Sequence, residues 1–187
     1  HHMKPFNAPT SATGKIGNAL SVASASTQTI VRPSNSSFNF GDTDFTVLGW
    51  ANMTSKTATA EAIFSKYSGT QRTWMLYYNG SAGGDKFAFL VNTTGAAADT
   101  TRQGTTLGSP STATWYFVVG WHDSVNNTLN IQVNNGTVDS SAHSTGTYGS
   151  STADVVIGGT PGGATPFNGL IDGVGAWSRV LTTAERA

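Results

Sequence analysis

The chain has 187 residues, no cysteine, and ten basic side chains that balance ten acidic ones. The lack of cysteine excludes disulfides, zinc–thiolate sites and thiol nucleophiles. Because the net charge is zero, no overall field steers the chain to nucleic acid, and we expect no nucleic-acid partner. The length fits one domain. With 28 threonines and only two glutamates, the composition indicates an all-β protein rather than a helical one.

The two ends of the chain carry separate signals. Residues 1–3 (HHM) are typical of a tag remnant, which leaves residues 4–187 as a predicted single domain. No run approaches 18 apolar residues, and we expect no membrane insertion. Near the other end, Thr182 and Glu185 have the spacing of a capping box, which predicts at most a short C-terminal helical turn. Since that helix start is cut short, we expect the chain to be part of a longer multidomain protein.

In chain order, short runs of β-forming residues alternate with turn residues throughout. The clearest alternation of apolar and polar side chains lies in residues 128–134 (TLNIQVN). Residues 96–114 predict a long loop with one irregular strand. Many short strands separated by turns indicate a β-sandwich or a barrel. The other strand candidates are residues 45–50, 62–66, 73–78, 86–92, 115–121, 155–157 and 170–177.

Five motifs occur in the order found in a known family. They are residues 14–20 (GKIGNAL), 45–50 (FTVLGW), 115–123 (WYFVVGWHD), 167–172 (FNGLID) and 179–185 (RVLTTAE). Together they resemble laminin-G-like domains of the concanavalin A-like lectin/glucanase superfamily. The resemblance implies a jelly roll, an antiparallel β-sandwich of two sheets packed face to face. The chain departs from the family at residues 23–26 (ASAS) and at Gly173, where acidic residues are common.

The superfamily contains both binding domains and enzymes, so its fold does not fix a function. Glycoside hydrolysis by the usual route needs two carboxylates about 5–5.5 Å or 6.5–9.5 Å apart. Glucanases of this fold carry them in an ExDxE strand, which this chain lacks. Asp42 and Asp44 are two positions apart, but their place in a turn before a strand is typical of turn and cap residues. We therefore predict no catalytic residue.

The resemblance also implies a metal site. In relatives of this fold, the Asp that matches Asp172 often binds a structural Ca²⁺ with the help of backbone carbonyls from an early turn. Calcium takes about 6–8 oxygen ligands and accepts carbonyl oxygens, so one or two carboxylates suffice. The turn near Gly41 is the candidate carbonyl donor. The alternative is that Asp172 only accepts hydrogen bonds from loop amides.

Aromatic residues have to be divided between the core and a ligand surface. Trp121 is the candidate for the ligand surface, because its position in the resemblance usually holds a small or polar residue. As a surface platform, it is expected to tolerate Trp121→Ala without loss of stability. The aromatic residues at family positions are predicted to pack in the core: Trp50, Trp115, Phe45, Phe167 and Trp177.

Strand parity supports a ligand face around Trp121. If Val118 faces the other sheet, Trp121 faces the groove, because side chains alternate along a strand. The apolar residues of 128–134 are expected to face the core, which places Asn130 and Gln132 beside Trp121 as hydrogen-bonding partners. The alternative is that loop 96–114 covers Trp121. Two further candidates from another strand complete the predicted ligand set: Tyr78 and Arg72.

Three functions remain open at this point. The first is a non-catalytic carbohydrate-binding or adhesion domain of a secreted or surface-exposed protein, extracellular or on a virion, stabilised by calcium. Its partner would be a glycan or a cell-surface polysaccharide. The second is a structural or display module of a phage or cell-surface fibre without a glycan ligand. The third is a glycan-active enzyme.

Overall fold

The computed structural model describes residues 3–96 and 98–187. His1 and His2 of the predicted tag remnant lie outside the described residues. The described chain contains fourteen β-strands, four short 3-10 turns and no α-helix. The strands are β1 Lys4–Phe6, β2 Thr10–Thr13, β3 Asn18–Val22, β4 Thr29–Arg32, β5 Phe45–Met53, β6 Glu61–Lys66, β7 Trp74–Tyr78, β8 Phe87–Asn92, β9 Asp99–Gln103, β10 Trp115–Asp123, β11 Thr128–Val133, β12 Asp139–Ala142, β13 Val155–Ile157 and β14 Gly169–Trp177. The 3-10 turns are Ser24–Ser26, Ser36–Phe38, Pro161–Gly163 and Ala184–Arg186.

The strands form two seven-stranded sheets. Sheet 1 has the order β1-β4-β13-β6-β7-β8-β9, and sheet 2 has the order β12-β11-β10-β5-β14-β3-β2. Every pairing within them is antiparallel. The predicted all-β fold is confirmed, and of the two alternatives the structure is a sandwich. The loop predicted at residues 96–114 contains β9, which pairs with β8 at the edge of sheet 1, and also Ala97, which lies outside the described residues.

The core lies between the sheets and is built by strand alternation. On β5, Phe45, Val47, Ala51 and Met53 are fully buried in it. Full burial of a side chain the size of Val, Met or Phe stabilises a fold by about 1.5–3 kcal/mol. On β10, a Cβ at Gly120 would overlap the ring of Phe89 in sheet 1, so only glycine lets the two sheets approach there. The intervening residues of both strands therefore point to the outer face of sheet 2, away from sheet 1.

The core prediction for the family aromatics is right for two residues and wrong for three. Phe45 and Phe167 are fully buried. Trp50 and Trp115 are only half-buried and lie on the outer face of sheet 2, and Trp177 is 37% exposed. The reason is parity, because Trp50 is separated from the buried Phe45 by an odd number of positions and so points the opposite way.

The chain ends on a short 3-10 turn that crosses the outer face of sheet 2. The predicted capping box is confirmed: the Thr182 amide donates to Glu185 Oε2 at 2.8 Å, and the Glu185 amide donates to Thr182 Oγ1 at 3.4 Å. Arg179 adds two bonds to the same carboxylate, at 2.7 and 2.6 Å. This guanidinium, together with the Thr182 donors, lowers the pKa of the Glu185 carboxyl to about 2. Residues 178–187 are called the C-terminal segment below.

Candidate functional site

Four residues on neighbouring strands form a row across the outer face of sheet 2. Asp172 of β14 is in register with Trp50 of β5, and Trp50 is in register with Phe117 of β10. Asn134, just after β11, extends the row because its amide donates to the Phe117 carbonyl at 2.8 Å. With about 4.8 Å between strands, the row is roughly 15 Å long.

Aromatic side chains near the middle of this row border an open groove of about 530 Å³. The Trp50 and Phe117 rings lie 5.1 Å apart at an angle of 34°, and Trp115 lies two positions before Phe117 on the same face. All three are half-buried, so each keeps part of its ring exposed to the groove. We call this the aromatic groove. Its apolar side is formed by Trp50, Trp115 and Phe117 and its polar side by Lys15, Asn134 and Asn135, and Ile16, Gly173 and Ala187 complete the lining.

The asparagines form a rigid rim. Asn134 and Asn135 have φ values of 51° and 54°, and the Gly136 amide donates to the Val133 carbonyl at 2.9 Å. Two consecutive left-handed residues closed by this bond form a type I′ turn, for which Asn is well suited. Asn134 Oδ1 accepts from the Phe117 amide at 2.8 Å. Within the described part of the chain no acceptor engages the side-chain NH₂ of either asparagine, so both remain available as donors.

Asp172 fixes the opposite rim. Its Oδ2 accepts from the Ile16 amide at 2.8 Å and its Oδ1 from the Gly173 amide at 2.7 Å. These bonds hold the turn that carries Lys15, whose Nζ lies 5.0 Å from the Trp50 ring centre. A cation at this distance over an indole face is favourable. Asp172 is thus a positioning residue for one wall of the groove.

The predicted calcium ligands do not come together. Asp172 is level with Trp50, whereas Gly41 precedes Phe45, which lies roughly 16 Å away along β5 at about 3.3 Å per residue. The Gly41 carbonyl accepts from the Thr147 amide at 2.8 Å. No group of three His, Cys, Asp or Glu side chains within residues 3–96 and 98–187 could hold a metal ion. The residues thus do not fit the predicted site, since both Asp172 oxygens already face amide donors rather than a cation.

Trp121 lies on the predicted face but is not an open platform. Only 5% of it is exposed, because the C-terminal segment covers it. Leu181 packs beside it, and the Arg186 guanidinium lies 4.3 Å above its ring. The sequence prediction of an exposed indole is therefore corrected, and the alternative named the wrong cover: the C-terminal segment, not loop 96–114, contacts the ring.

The predicted polar partners of Trp121 lie on the same face and are also buried. Gln132 Oε1 accepts from Arg186 Nε at 3.1 Å, and Gln132 Nε2 donates to the Gly136 carbonyl at 2.7 Å. Asn130 Nδ2 donates to Thr128 Oγ1 at 2.9 Å. Both amides are at most 5% exposed. They hold the C-terminal segment and their own hairpin in place instead of facing a ligand.

Tyr78 and Arg72 belong to a different part of the molecule. Tyr78 is fully buried in the core on the sheet 1 side, and its hydroxyl donates to Asp85 at 2.6 Å. Arg72 precedes β7 and pairs with Asp99 at 3.0 Å. Because both lie on sheet 1, they cannot join a site on the outer face of sheet 2, and this part of the predicted ligand set is corrected.

Sequence reasoning missed the three aromatic walls of the groove. The signal was present, because parity from the buried Phe45 places Trp50 outward, and parity from Val118 places Phe117 and Trp115 outward. The five family aromatics were instead assigned to the core as a group.

Three of the acidic residues, Glu61, Glu185 and Asp44, have structural partners, whereas the Asp42 side chain is exposed. Glu61 Oε1 accepts from the Thr57 amide at 2.8 Å, and Glu185 is held by Arg179 as described above. Asp44 Oδ1 accepts from the amide and hydroxyl of Ser124 at 2.8 and 2.7 Å, so it joins the turn before β5 to the turn after β10 and does not cap its own turn as predicted. These carboxylates serve to fasten turns.

Comparison with known proteins agrees with the lectin-like architecture. Residues 24–185 match the family model of the concanavalin A-like lectin/glucanases superfamily in its laminin G group. The chain belongs to this family. The resemblance drawn from the five sequence motifs is thereby confirmed. A search of curated proteins finds no match to this lectin-like domain.

Several solved structures share the fold at low sequence identity. Domain 4 of AbnA, an extracellular GH43 arabinanase from Geobacillus stearothermophilus solved with arabinotriose, has a TM-score of 0.70 at 18% identity, over 97% of this chain and 80% of its own. The CBM40 of the Ruminococcus gnavus IT-sialidase has 0.62 at 16%, over 78% and 82%. The binding domain of Paraclostridial Mosquitocidal Protein 1 has 0.74 at 13%, over 99% and 46%. These likenesses show the fold alone.

Several of the neighbours are carbohydrate-binding or receptor-binding domains of larger proteins. The part of this chain that the structure describes contains no helix with the length and hydropathy needed to cross a membrane.

Proposed function

We propose that the chain is a non-catalytic carbohydrate-binding domain whose ligand lies in the aromatic groove. The observation that carries the proposal is the half-exposed set of Trp50, Trp115 and Phe117, faced by free amide donors of Asn134 and Asn135. The apolar face of a sugar ring stacks on an aromatic ring, and its hydroxyls bond to nearby amides. An apolar platform with a few polar groups is the general design of ligand sites, and about 300–1,000 Å³ is their usual volume.

The proposed site lies on the same strand, β10, as the site predicted from the sequence, but at a different position. The sequence placed its centre at Trp121, which is covered, whereas Phe117 and Trp115 lie on the same face of the same strand and are open to the groove. The neighbours support a sugar ligand: AbnA domain 4 is in complex with arabinotriose, and the CBM40 is seen with α2,3- and α2,6-sialyllactose.

The setting of the domain follows from this function. We propose that it belongs to a longer secreted or surface protein and attaches that protein to a glycan or cell-surface polysaccharide. The AbnA domain is one part of an extracellular enzyme, which supports this arrangement. Calcium stays a prediction from the sequence and forms no part of the proposal.

A structural or display module is the second candidate. The observation that favours it is the covered half of the same face, where Leu181 and Arg186 occupy the surface around Trp121. If the groove binds no glycan, the closed packing of this half favours a structural or display role.

A glycan array followed by calorimetry tests the two candidates. Arabinotriose and α2,3-sialyllactose are the first probes. Trp50→Ala should weaken binding about 5- to 150-fold, the equivalent of the ~1–3 kcal/mol lost with an aromatic stacking partner. Trp177→Ala is the matched control, because Trp177 is exposed on the same sheet but outside the groove. Retention of no glycan by the wild type, or equal binding by Trp50→Ala, overturns the proposal.

A further inference from the structure

A second depression adjoins the aromatic groove. It measures about 260 Å³ and lies between the loop after β9 and the hairpin turn after β11. Thr106 and Leu107 form one wall, and Gly136 and Thr137 form the other. Asn134 lines both the aromatic groove and this depression, so the two lie on either side of one residue.

The loop wall of the depression is held firmly. Asp139, 8% exposed, accepts from the Thr105 hydroxyl, from the Thr106 amide at 2.9 Å and from the Thr106 hydroxyl at 3.2 Å. Arg102 lies 3.3 Å from the same carboxylate. The loop is thus fixed to β12 before any ligand arrives, and a preformed wall spares the ligand an ordering cost.

The walls of the depression suit an uncharged, partly polar ligand. Thr137 and Thr106 carry hydroxyls, and Leu107, 37% exposed, supplies an apolar surface. The carboxylate of Asp139 is already engaged by the loop. Thus neither a strong cation nor a strong anion has a partner there, whereas a sugar has both hydroxyl and apolar partners.

Asn134 occupies the junction in a fixed orientation. Its main chain lies in the type I′ turn, and its Oδ1 is held by the Phe117 amide at 2.8 Å. The side chain therefore offers its NH₂ group at the point where the groove meets the depression. A ligand that crosses this point gains a hydrogen-bond donor there.

We infer that the groove and the depression form one channel that binds an extended, neutral oligosaccharide across Asn134, rather than a single terminal sugar. The inference rests on the proposed function and specifies its ligand class. Trp50 and Phe117 hold one part of the chain, and the Leu107–Thr137 depression holds the next part.

The test is calorimetric titration with linear arabino-, xylo- and cello-oligosaccharides of two to six units. The best-binding series should gain at least tenfold in affinity from the disaccharide to the hexasaccharide. Leu107→Ser, which removes the apolar wall, and Thr137→Trp, which fills the depression, should abolish that gain and leave disaccharide binding unchanged. Val125→Ser is the matched control, because Val125 is a 79% exposed apolar residue on the distant β10–β11 turn.

The outcomes separate the two proposals. If Trp50→Ala weakens every oligomer while Leu107→Ser and Thr137→Trp leave the length dependence intact, the channel is wrong and the groove stands. Equal affinity for disaccharide and hexasaccharide also overturns the channel. If none of the three series binds, both proposals fail for neutral glycans. Thermal melts of each variant confirm that the fold is retained; Leu107, Thr137 and Val125 are exposed, and Trp50 is half-buried.

Discussion

The outer face of sheet 2 has an open half and a covered half that differ little in their own residues. Both carry a tryptophan on neighbouring strands, Trp50 in the open half and Trp121 in the covered half, and both present side-chain amides beside it. The difference is the C-terminal segment, which packs Leu181 and Arg186 over Trp121, whereas in the open half only its residue Ala187 reaches the groove. An outward-facing aromatic residue on a strand is therefore a ligand candidate only after its cover, which comes from a distant part of the sequence, is known.

The largest expected effect comes from exchanging each tryptophan for alanine. Trp121→Ala should lower the free energy of unfolding by about 3–5 kcal/mol, as for a buried aromatic. This reverses the expectation from the sequence. Trp50→Ala should cost about 1 kcal/mol, the scale of one aromatic pair. Urea melts measure both, and equal losses for the two variants contradict the division into two halves.

A pair of arginine variants tests what holds the cover. Arg186→Met keeps the length of the side chain but leaves Gln132 Oε1 unpaired, and we expect a loss of about 1–3 kcal/mol. Arg179→Met removes only an exposed ion pair with Glu185, for which about 0–1 kcal/mol is usual. Acrylamide quenching of tryptophan fluorescence should increase for the first variant alone. The same response from both would show that the cover is held by the capping turn.

Asp172→Asn tests whether Asp172 positions the Lys15 wall of the open half. We expect a loss near 1 kcal/mol and a several-fold weaker glycan affinity, because the turn that carries Lys15 loosens. Since amides engage both carboxylate oxygens, this loss should be the same in calcium and in EDTA. If calcium instead raises the wild-type Tm by roughly 5–10 °C and leaves the variant unchanged, the calcium prediction is right.

A further effect is a pH dependence that lies in neither half. Lys66 on sheet 1 is fully buried, and this burial lowers its pKa to about 8, although the charge of Asp154 opposes the shift. Its Nζ donates to the Ala153 carbonyl at 2.6 Å. The unfolded chain, with a lysine pKa near 10.4, binds the proton more tightly.

Stability should therefore rise as the pH increases from about 8 toward 10. Thermal melts of the wild type and of Lys66→Met between these pH values should show the rise in the wild type only. Glycan affinity should not follow it. A slope that Lys66→Met retains would place the titrating group elsewhere.

Much of the fold could be predicted from local sequence. The alternation at Leu129, Ile131 and Val133 gave a strand and its buried face, and Thr182 with Glu185 gave the terminal turn. These signals are local, because a strand repeats every two residues and a cap spans one turn. β9 was harder to define, since Asp99–Gln103 lies at a sheet edge, where little burial imposes an apolar pattern.

The site was less accessible because it depends on long-range contacts. Parity correctly placed Trp121, Asn130 and Gln132 on one face, but the cover provided by Arg186 lies 65 residues after Trp121 in the sequence. The groove also needs the Lys15 turn, which reaches Trp50 only because Asp172 binds the Ile16 amide. Contacts between residues so far apart in the sequence cannot be predicted from local spacing. In addition, Trp50 and Trp115 occupy family positions, and the resemblance therefore predicted them to be core residues.

The alternation of side chains along β10 limits how this surface can evolve. Residues 115, 117, 119 and 121 point outward while their neighbours pack in the core, so inserting or deleting one residue would exchange the two sets. Recognition can therefore diversify on the strand only by substitution. Changes of length are confined to the connections beside it, such as the loop around Leu107 and the hairpin at Asn134 and Asn135. Relatives that recognise different ligands should thus differ in the size of the second depression more than in the position of the aromatic wall.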